Sequence, residues 1–340
     1  MGLNPNIRRE QMQKKRKRSR LKDSVVNFMI IAVVTIGWYI MMFPTAADLV
    51  NRIFNQNTIV SYNHSMVTYS DDELEKMFQD CKDYNQTIYE EQQTSEFRYR
   101  GPMATGEDYM KVPTSGHTIG TIRIPAIDVN LQIVHGTSDN DLQSSAGHLY
   151  GTSLPIEGQN VHAVIAAHSA LSTAKLFTDL TKVNKGDQFY ITILNKELEY
   201  TIDEINVVLP EDDYMYEQIV PGKNYVTLYT CTPYGVNTHR LMVRGALTKV
   251  ETRDLSNEGG FSIKEVWPII TNSAKLAGVT LLPFVIMLGY AWYERHERIK
   301  KLKAKGLWVP RKKRKAKRKK QRRKEEFSYY EPFEEETEKH

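Results

Sequence analysis

Two uncharged apolar stretches bracket this chain and constrain it more than any other feature. Val25–Phe43 runs nineteen residues without a charge. As a helix rising about 1.5 Å per residue it reaches about 28 Å, the depth of a bilayer's hydrocarbon core. Leu276–Tyr293 runs eighteen residues and closes on Trp292 and Tyr293, an aromatic belt of the kind found at membrane interfaces. Both are expected to span a membrane. For the first, a cleavable signal peptide is the alternative, with Ala46-Ala47 as a small-residue cleavage site, although its apolar core would be shorter. Lys14–Lys22 flank the first stretch and Arg295–Lys305 the second. Positive charge is retained on the cytoplasmic side, so both termini are expected inside and residues 48–265 outside.

Charge follows the same division. The net charge of +5 resolves into +8 over residues 1–22, −13 over 23–293 and +10 over 294–340. An acidic middle between basic ends does not suit a nucleic-acid-binding domain, and no nucleic acid is expected as a partner. The basic run from Arg311 to Lys324, followed by an acidic end, reads as a solvated tail that contacts anionic lipid headgroups. Apolar residues at 41% leave enough for a core and exclude wholesale disorder. Two cysteines, Cys81 and Cys231, exclude a disulfide framework and a Cys-rich zinc site.

The expected organisation is a basic cytoplasmic segment (1–24), a transmembrane helix (25–43), an external helical segment with a lid or linker (44–115), a β domain (116–250), a linker (251–275), a second transmembrane helix (276–293) and a cytoplasmic tail (294–340). Within the external part, Ser70-Asp71-Asp72-Glu73 is a capping box. It opens a run with Leu74, Met77, Phe78, Cys81, Tyr84 and Ile88 at three-and-four spacing, which predicts one amphipathic helix over Ser70–Gln92 with Cys81 as a buried, inert thiol. That helix either packs on the barrel wall or sets the height of a cleft above the membrane. Gln93–Ser115, rich in Gly, Thr and charge, reads as a loop or lid.

Short apolar runs rich in Val, Ile, Thr and Tyr then predict strands over Thr118–Ile127, Leu131–Val134, Val161–Ala167, Gln188–Leu194, Leu198–Val208, Tyr225–Thr230 and Leu241–Val250. A short helix is expected over Lys175–Leu180. Seven strands with one brief helical insert suggest a mainly β fold, a compact barrel or a sandwich.

Nucleophile candidates are few. Cys231 lies where the run Tyr225–Thr230 meets Thr232-Pro233-Tyr234-Gly235, a rigid strand ending on a reachable loop. A packed core thiol is the alternative at such a position. His162, His168 and His239 all fall near strand ends, and spacing does not choose among them.

The segment Thr227–Gly245, TLYTCTPYGVNTHRLMVRG, strongly resembles the signature of sortases, and its TCTPYGVNTHRL core is similar to that of the class C, pilin-polymerising group. Gly120–Pro125 (GTIRIP), His135-Gly136-Thr137, Gly147–Pro155 (GHLYGTSLP) and Ala174–Leu180 (AKLFTDL) resemble further class C blocks in the same order. The likeness covers residues 116–250. It implies a sortase-type closed β-barrel with short helices, two flanking spans and a Gram-positive cell membrane. Carried over by position, it implies Cys231 as nucleophile, His168 as proton donor and acceptor and Arg240 as stabiliser of substrate or transition state, with His239 structural.

The chemistry so implied is a transpeptidation with no metal or organic cofactor. Cys231 attacks the Thr carbonyl of an LPXTG-like sorting signal on a pilin or surface protein, and the acyl group passes to an amine acceptor, a pilin lysine or a cell-wall precursor. A catalytically silent pilin-binding scaffold is the non-enzymatic alternative. Two departures from the class C pattern stand out. No Asp-Pro dipeptide supplies the lid anchor, which leaves Phe97, Tyr99 or Tyr109 as plugs, or a plain linker. Ala167-His168-Ser169-Ala170 carries methyl groups where the family has glycine on both sides.

Overall fold

The computed structural model describes residues 5–93, 109 and 115–253, with scattered positions between 267 and 304. Two helices come first, α1 (Pro5–Val67) and α2 (Asp71–Gln92). Eight strands follow: β1 (Thr118–Ile124), β2 (Val129–His135), β3 (Ala146–His148), β4 (Val161–Ala166), β5 (Gln188–Ile193), β6 (Lys196–Val208), β7 (Asn224–Thr232) and β8 (His239–Thr252). They close into a barrel in the order β1-β2-β3-β4-β7-β8-β6-β5. β2–β3 and β4–β7 run parallel and the other pairs antiparallel. Closure leaves no unpaired edge, and it decides for a barrel over a sandwich.

Each strand prediction falls on a strand, with shifted ends. β1 stops at Ile124 rather than Ile127, because Pro125 opens a 3-10 turn that Asp128 closes in the left-handed region. The helix expected over Lys175–Leu180 is a 3-10 turn at Thr178–Lys182. β3 was not expected. At three residues it is too short to show alternation, yet it joins β2 to β4.

The core is a single cluster around Ile122, Ile133, Ala163, Ile165, Phe189, Leu198, Tyr200, Leu228 and Val243. Phe189 and Tyr200 stack at 5.2 Å, and Gly245 of β8 lies against them so closely that an added Cβ would overlap the Phe189 ring.

α1 is longer than the expected transmembrane helix, continuing through Pro44 to Val67. Its N-terminal apolar part is exposed, including Val33, Ile36, Tyr39, Ile40 and Met41. Met29–Val67 contains the one window among the described residues that is long and apolar enough to cross a membrane. The remainder belongs to the barrel. Asp48 Oδ1 accepts from Lys175 N at 2.9 Å, Arg52 reaches Asp128 at 2.6 Å, and the buried Asn55 donates to Ser144 O at 2.7 Å. Tyr62, 2% exposed, donates its hydroxyl to Ile119 O and accepts from Leu194 N. The predicted span at 276–293 lies largely outside the described residues.

α2 starts at Ser70, whose hydroxyl accepts from Glu73 N while Glu73 accepts from Ser70 N, so the capping box is complete. Cys81 is 1% exposed, and burial pushes its thiol up to about 12. Asn85 exchanges two hydrogen bonds with the backbone of Leu154, at 3.0 and 2.7 Å. These contacts, with Leu74, Phe78, Cys81 and Ile88 in the core cluster, pack the helix against the connection between β3 and β4.

Tyr109 does not plug a cleft holding Cys231. It is buried against His135, His148 and Tyr150, donates to His148 Nδ1 at 2.8 Å and accepts from Gly136 N at 3.1 Å. A phenol flanked by imidazoles and a free N–H satisfies its hydroxyl inside the fold and has no need of an open cleft. Phe97 and Tyr99 lie outside the described residues.

Candidate active site

Strand periodicity places the first two groups. Along β7, Val226, Leu228 and Thr230 point into the core, so Tyr225, Thr227, Tyr229 and Cys231 share the other face. Antiparallel pairing puts Cys231 opposite Arg240 of β8, and directly opposed residues present their side chains on the same side. Both are half-buried. Cys231 is a free thiol, and not the packed core residue that its strand position also allowed.

The third group arrives by the parallel β4–β7 pairing, which aligns Ala166 with Tyr229. Beyond the last strand residue, Ala167 N donates to Tyr229 O at 3.1 Å, Thr230 Oγ1 donates to Ala167 O at 2.7 Å and Ser169 Oγ donates to Cys231 O at 2.6 Å. These bonds lace the 167–169 segment to the end of β7 and carry the half-buried His168 to the same rim as Cys231. The structure thus brings Cys231, His168 and Arg240 to one end of the barrel. Ala167 is buried in that lacing, and Ala170 adopts φ +62°, a left-handed conformation in which a glycine would be unstrained.

The other histidines are occupied elsewhere. His162 donates from Nδ1 to Gln218 O at 2.6 Å and accepts at Nε2 from Thr227 Oγ1 at 2.8 Å. Burial pushes it down to about 4, so it stays neutral. His239 meets the Thr238 hydroxyl at 2.9 Å in the β7–β8 turn.

Two arginines on the same face of β8 differ in company. Arg244 is gripped by Asp203 in a two-pronged contact and by Glu204 at 2.6 Å, and lies over the Tyr225 ring. Arg240 has no carboxylate within ion-pair distance among the described residues. Its Nε donates to Tyr229 Oη at 2.8 Å, and its Nη1 donates to the carbonyls of Asn237 and His239 at 3.2 and 3.3 Å. Burial opposes its charge, while Tyr229, Cys231 and Asp213 favour it, and the balance keeps it cationic. A guanidinium held by neutral groups keeps its charge available for an anion that develops next to it.

Tyr229 and Asp213 were not expected here. Tyr229 Oη donates to Asp213 Oδ2 at 2.8 Å, and burial together with this bond raises the phenol far above its ordinary range. Period-two alternation from Cys231 was the available signal for Tyr229. Asp213, in a 3-10 turn between β6 and β7, had none. Beside it, Glu217 is buried and pushed up to about 8 by burial and by Asp213. Exposed Tyr214, Met215, Tyr234 and Val236 belong to the two loops that flank this end of β7.

Comparison with known proteins shows the family to which the barrel is related. A sortase domain model matches residues 122–248. Sortase C of Streptococcus pneumoniae, whose crystal structure is described as informing catalysis and pilin substrate specificity, is 37% identical with a TM-score of 0.52; the likeness covers 57% of this chain and 97% of that one. Sortase C1 of GBS Pilus Island 1 is 34% identical with a TM-score of 0.53 over 57% of this chain and 92% of that one. Sortase A of Streptococcus agalactiae is 34% identical over 46% of this chain. The chain spans 66% of that curated relative and 62% of sortase A from Listeria monocytogenes, just under two thirds of their lengths.

Proposed function

The chain belongs to the sortase family, and on that premise we propose that it is a membrane-anchored class C enzyme that cleaves an LPXTG-like sorting signal and joins the new carboxyl end to a pilin lysine. The observation that carries this reading is the convergence of a free thiol, an imidazole and an uncompensated guanidinium at one barrel end, through the Cys231–Arg240 register and the lacing of His168 to β7. Pilin as substrate is supported by the likeness to the pneumococcal sortase C.

The steps follow from the groups. Thiolate, not thiol, is the nucleophile. Cys231 Sγ⁻ adds to the Thr carbonyl of the signal, and Arg240 balances the charge that develops on the carbonyl oxygen. The C–N bond to Gly breaks as protonated His168 gives its proton to the departing amine, leaving a thioester on Cys231. A neutral lysine amine then attacks, His168 takes its proton, and the isopeptide bond forms as thiolate leaves. A lysine at position 240 would keep the charge and lose the planar fork.

The exposed apolar stretch of α1 supports a membrane anchor at the N-terminal end. With the basic flanks, the second apolar segment completes a two-span arrangement with the barrel outside and both termini cytoplasmic.

Incubating the full chain in detergent with an LPXTG peptide and trapping the adduct tests the reading. A thioacyl mass on Cys231, lost in Cys231→Ala, is expected. In cells, Cys231→Ala should abolish high-mass pilin polymers while pilin monomers persist, and an unchanged ladder would refute the proposal. The mass of the product linkage separates a lysine isopeptide from a cell-wall crossbridge, the alternative acceptor. Binding without any adduct would leave a scaffold.

A further inference from the structure

Arg240 is a long side chain without a counter-charge in contact, yet its guanidinium is held in one plane. We propose that Tyr229 and Asp213 are a positioning pair for Arg240: Asp213 orients the Tyr229 hydroxyl, and the hydroxyl fixes Arg240 through Nε. The inference rests on the proposed role of Arg240 in stabilising substrate or transition state.

Hydrogen-bond direction forces the arrangement. Asp213 as a carboxylate only accepts, so the single Tyr229 proton goes to its Oδ2 at 2.8 Å. The oxygen lone pairs are then free to accept, and Arg240 Nε–H meets them at 2.8 Å. Burial and the Asp213 bond keep the phenol protonated. Asp213 therefore acts on Arg240 through a neutral hydroxyl, which fixes geometry without placing a carboxylate on the guanidinium. Arg244, four residues further along β8 on the same face, shows the contrast: two carboxylates hold it directly, through Nε and Nη2. With Nε and Nη1 of Arg240 engaged, Nη2 has no hydrogen-bond partner among the described residues.

The loop bearing Asp213 is itself fastened. Gln218 O accepts from His162 Nδ1 at 2.6 Å, and Ile219 N donates to Gln92 Oε1, at the end of α2, at 2.8 Å. The loop is thus tied to β4 and α2 at residues 218 and 219, while Asp213 itself bonds Tyr229 and reaches the guanidinium through that hydroxyl.

The test uses the full chain in detergent, an LPXTG peptide and an amine acceptor. Tyr229→Phe keeps the ring and removes the hydroxyl. A hydrogen bond to a charged group, lost where geometry sets the rate, predicts that kcat falls about ten-fold or more while the peptide KM stays within about two-fold. Asp213→Ala should match it, and Asp213→Asn, whose amide oxygen still accepts, should recover part of the loss. In an Arg240→Lys background, adding Tyr229→Phe should change kcat by less than about two-fold, because the two act as one unit. Independently of turnover, NMR hydrogen exchange at Arg240 Nε should quicken in Tyr229→Phe. Unchanged kcat or unchanged Nε exchange in Tyr229→Phe, or a full further loss in the double variant, would overturn the positioning role. Wild-type turnover by Arg240→Ala would instead overturn the reading of Arg240 on which it depends.

Discussion

Removing one oxygen atom tests whether α1 is only an anchor or a structural part of the barrel. Tyr62 Oη donates to Ile119 O at 2.9 Å and accepts from Leu194 N at 2.8 Å. Ile119 and Leu194 are each 1% exposed, so neither backbone group has water to turn to in Tyr62→Phe. An orphaned buried polar group costs about 1–3 kcal/mol, and a carbonyl tolerates the loss better than an N–H because it has two lone pairs. The expected cost is about 2–4 kcal/mol, with the ring packing retained. For a domain of this size each kcal/mol moves the midpoint by about 2–4 °C, so thermal unfolding of the full chain in detergent should shift down by about 4–16 °C. Tyr39→Phe, on the exposed apolar part of the same helix, is the control and should not shift. A Tyr62→Phe shift below about 2 °C, or one equal to the control, would refute the assignment of α1's second half to the barrel.

Three further outcomes follow from burial and charge. Gly245→Ala places a methyl group in the Phe189 ring and should cost about 1–3 kcal/mol, read as a lower denaturation midpoint; a neutral result would mean that the stacked pair moves freely. His148 and His162 are each held down near 4 by burial, so the unfolded chain binds more protons between about 6.5 and 4, and stability should fall as pH falls through that window by up to about 1.4 kcal/mol per pH unit for each; a flat profile from pH 7 to 4.5 would contradict this. Glu217 has the opposite sign: raised to about 8 by burial and Asp213, it makes the folded state lose stability as pH rises from about 4.5 to 8, so Glu217→Gln should raise the denaturation midpoint at pH 8.5 and not at pH 4.5.

Legibility in the sequence followed the range of the interaction. The capping box at Ser70 and the three-and-four spacing through Ile88 are local patterns, and α2 forms where they place it. β3 was invisible because Ala146–His148 owes its strand character to partners on β2 and β4 rather than to its own composition. The second half of α1 was masked by Pro44, which reads as a stop in a soluble helix, and its fastening residues Asn55 and Tyr62 lie in a polar stretch without a clean apolar stripe. At the site, Cys231 stood out as a strand-end thiol with a core residue as the alternative, while Arg240 came through the resemblance of the Thr227–Gly245 block, within which a hairpin brings the two together. His168 came by resemblance alone, since its placement depends on a parallel pairing across sixty residues of chain. Asp213 depends on which loop residue meets a strand-face tyrosine, and no linear spacing encodes that.

The helix that leaves the apolar segment is also a mechanical linkage, and its attachments are unevenly spread. Asp48 holds Lys175 N, and Asn51 donates to Thr173 O; both bonds grip the connection that follows His168, where Phe177 N in turn donates to His168 O. Among the described residues no hydrogen bond or ion pair joins α1 to β7 or β8. Tension on the N-terminal part of α1 would therefore reach the segment that carries His168 first, and the antiparallel ladder that holds Cys231 and Arg240 only through the bonds that lace that segment to β7. Pulling on that helix would strain the spacing of His168 from Cys231 before it disturbed the spacing of Cys231 from Arg240.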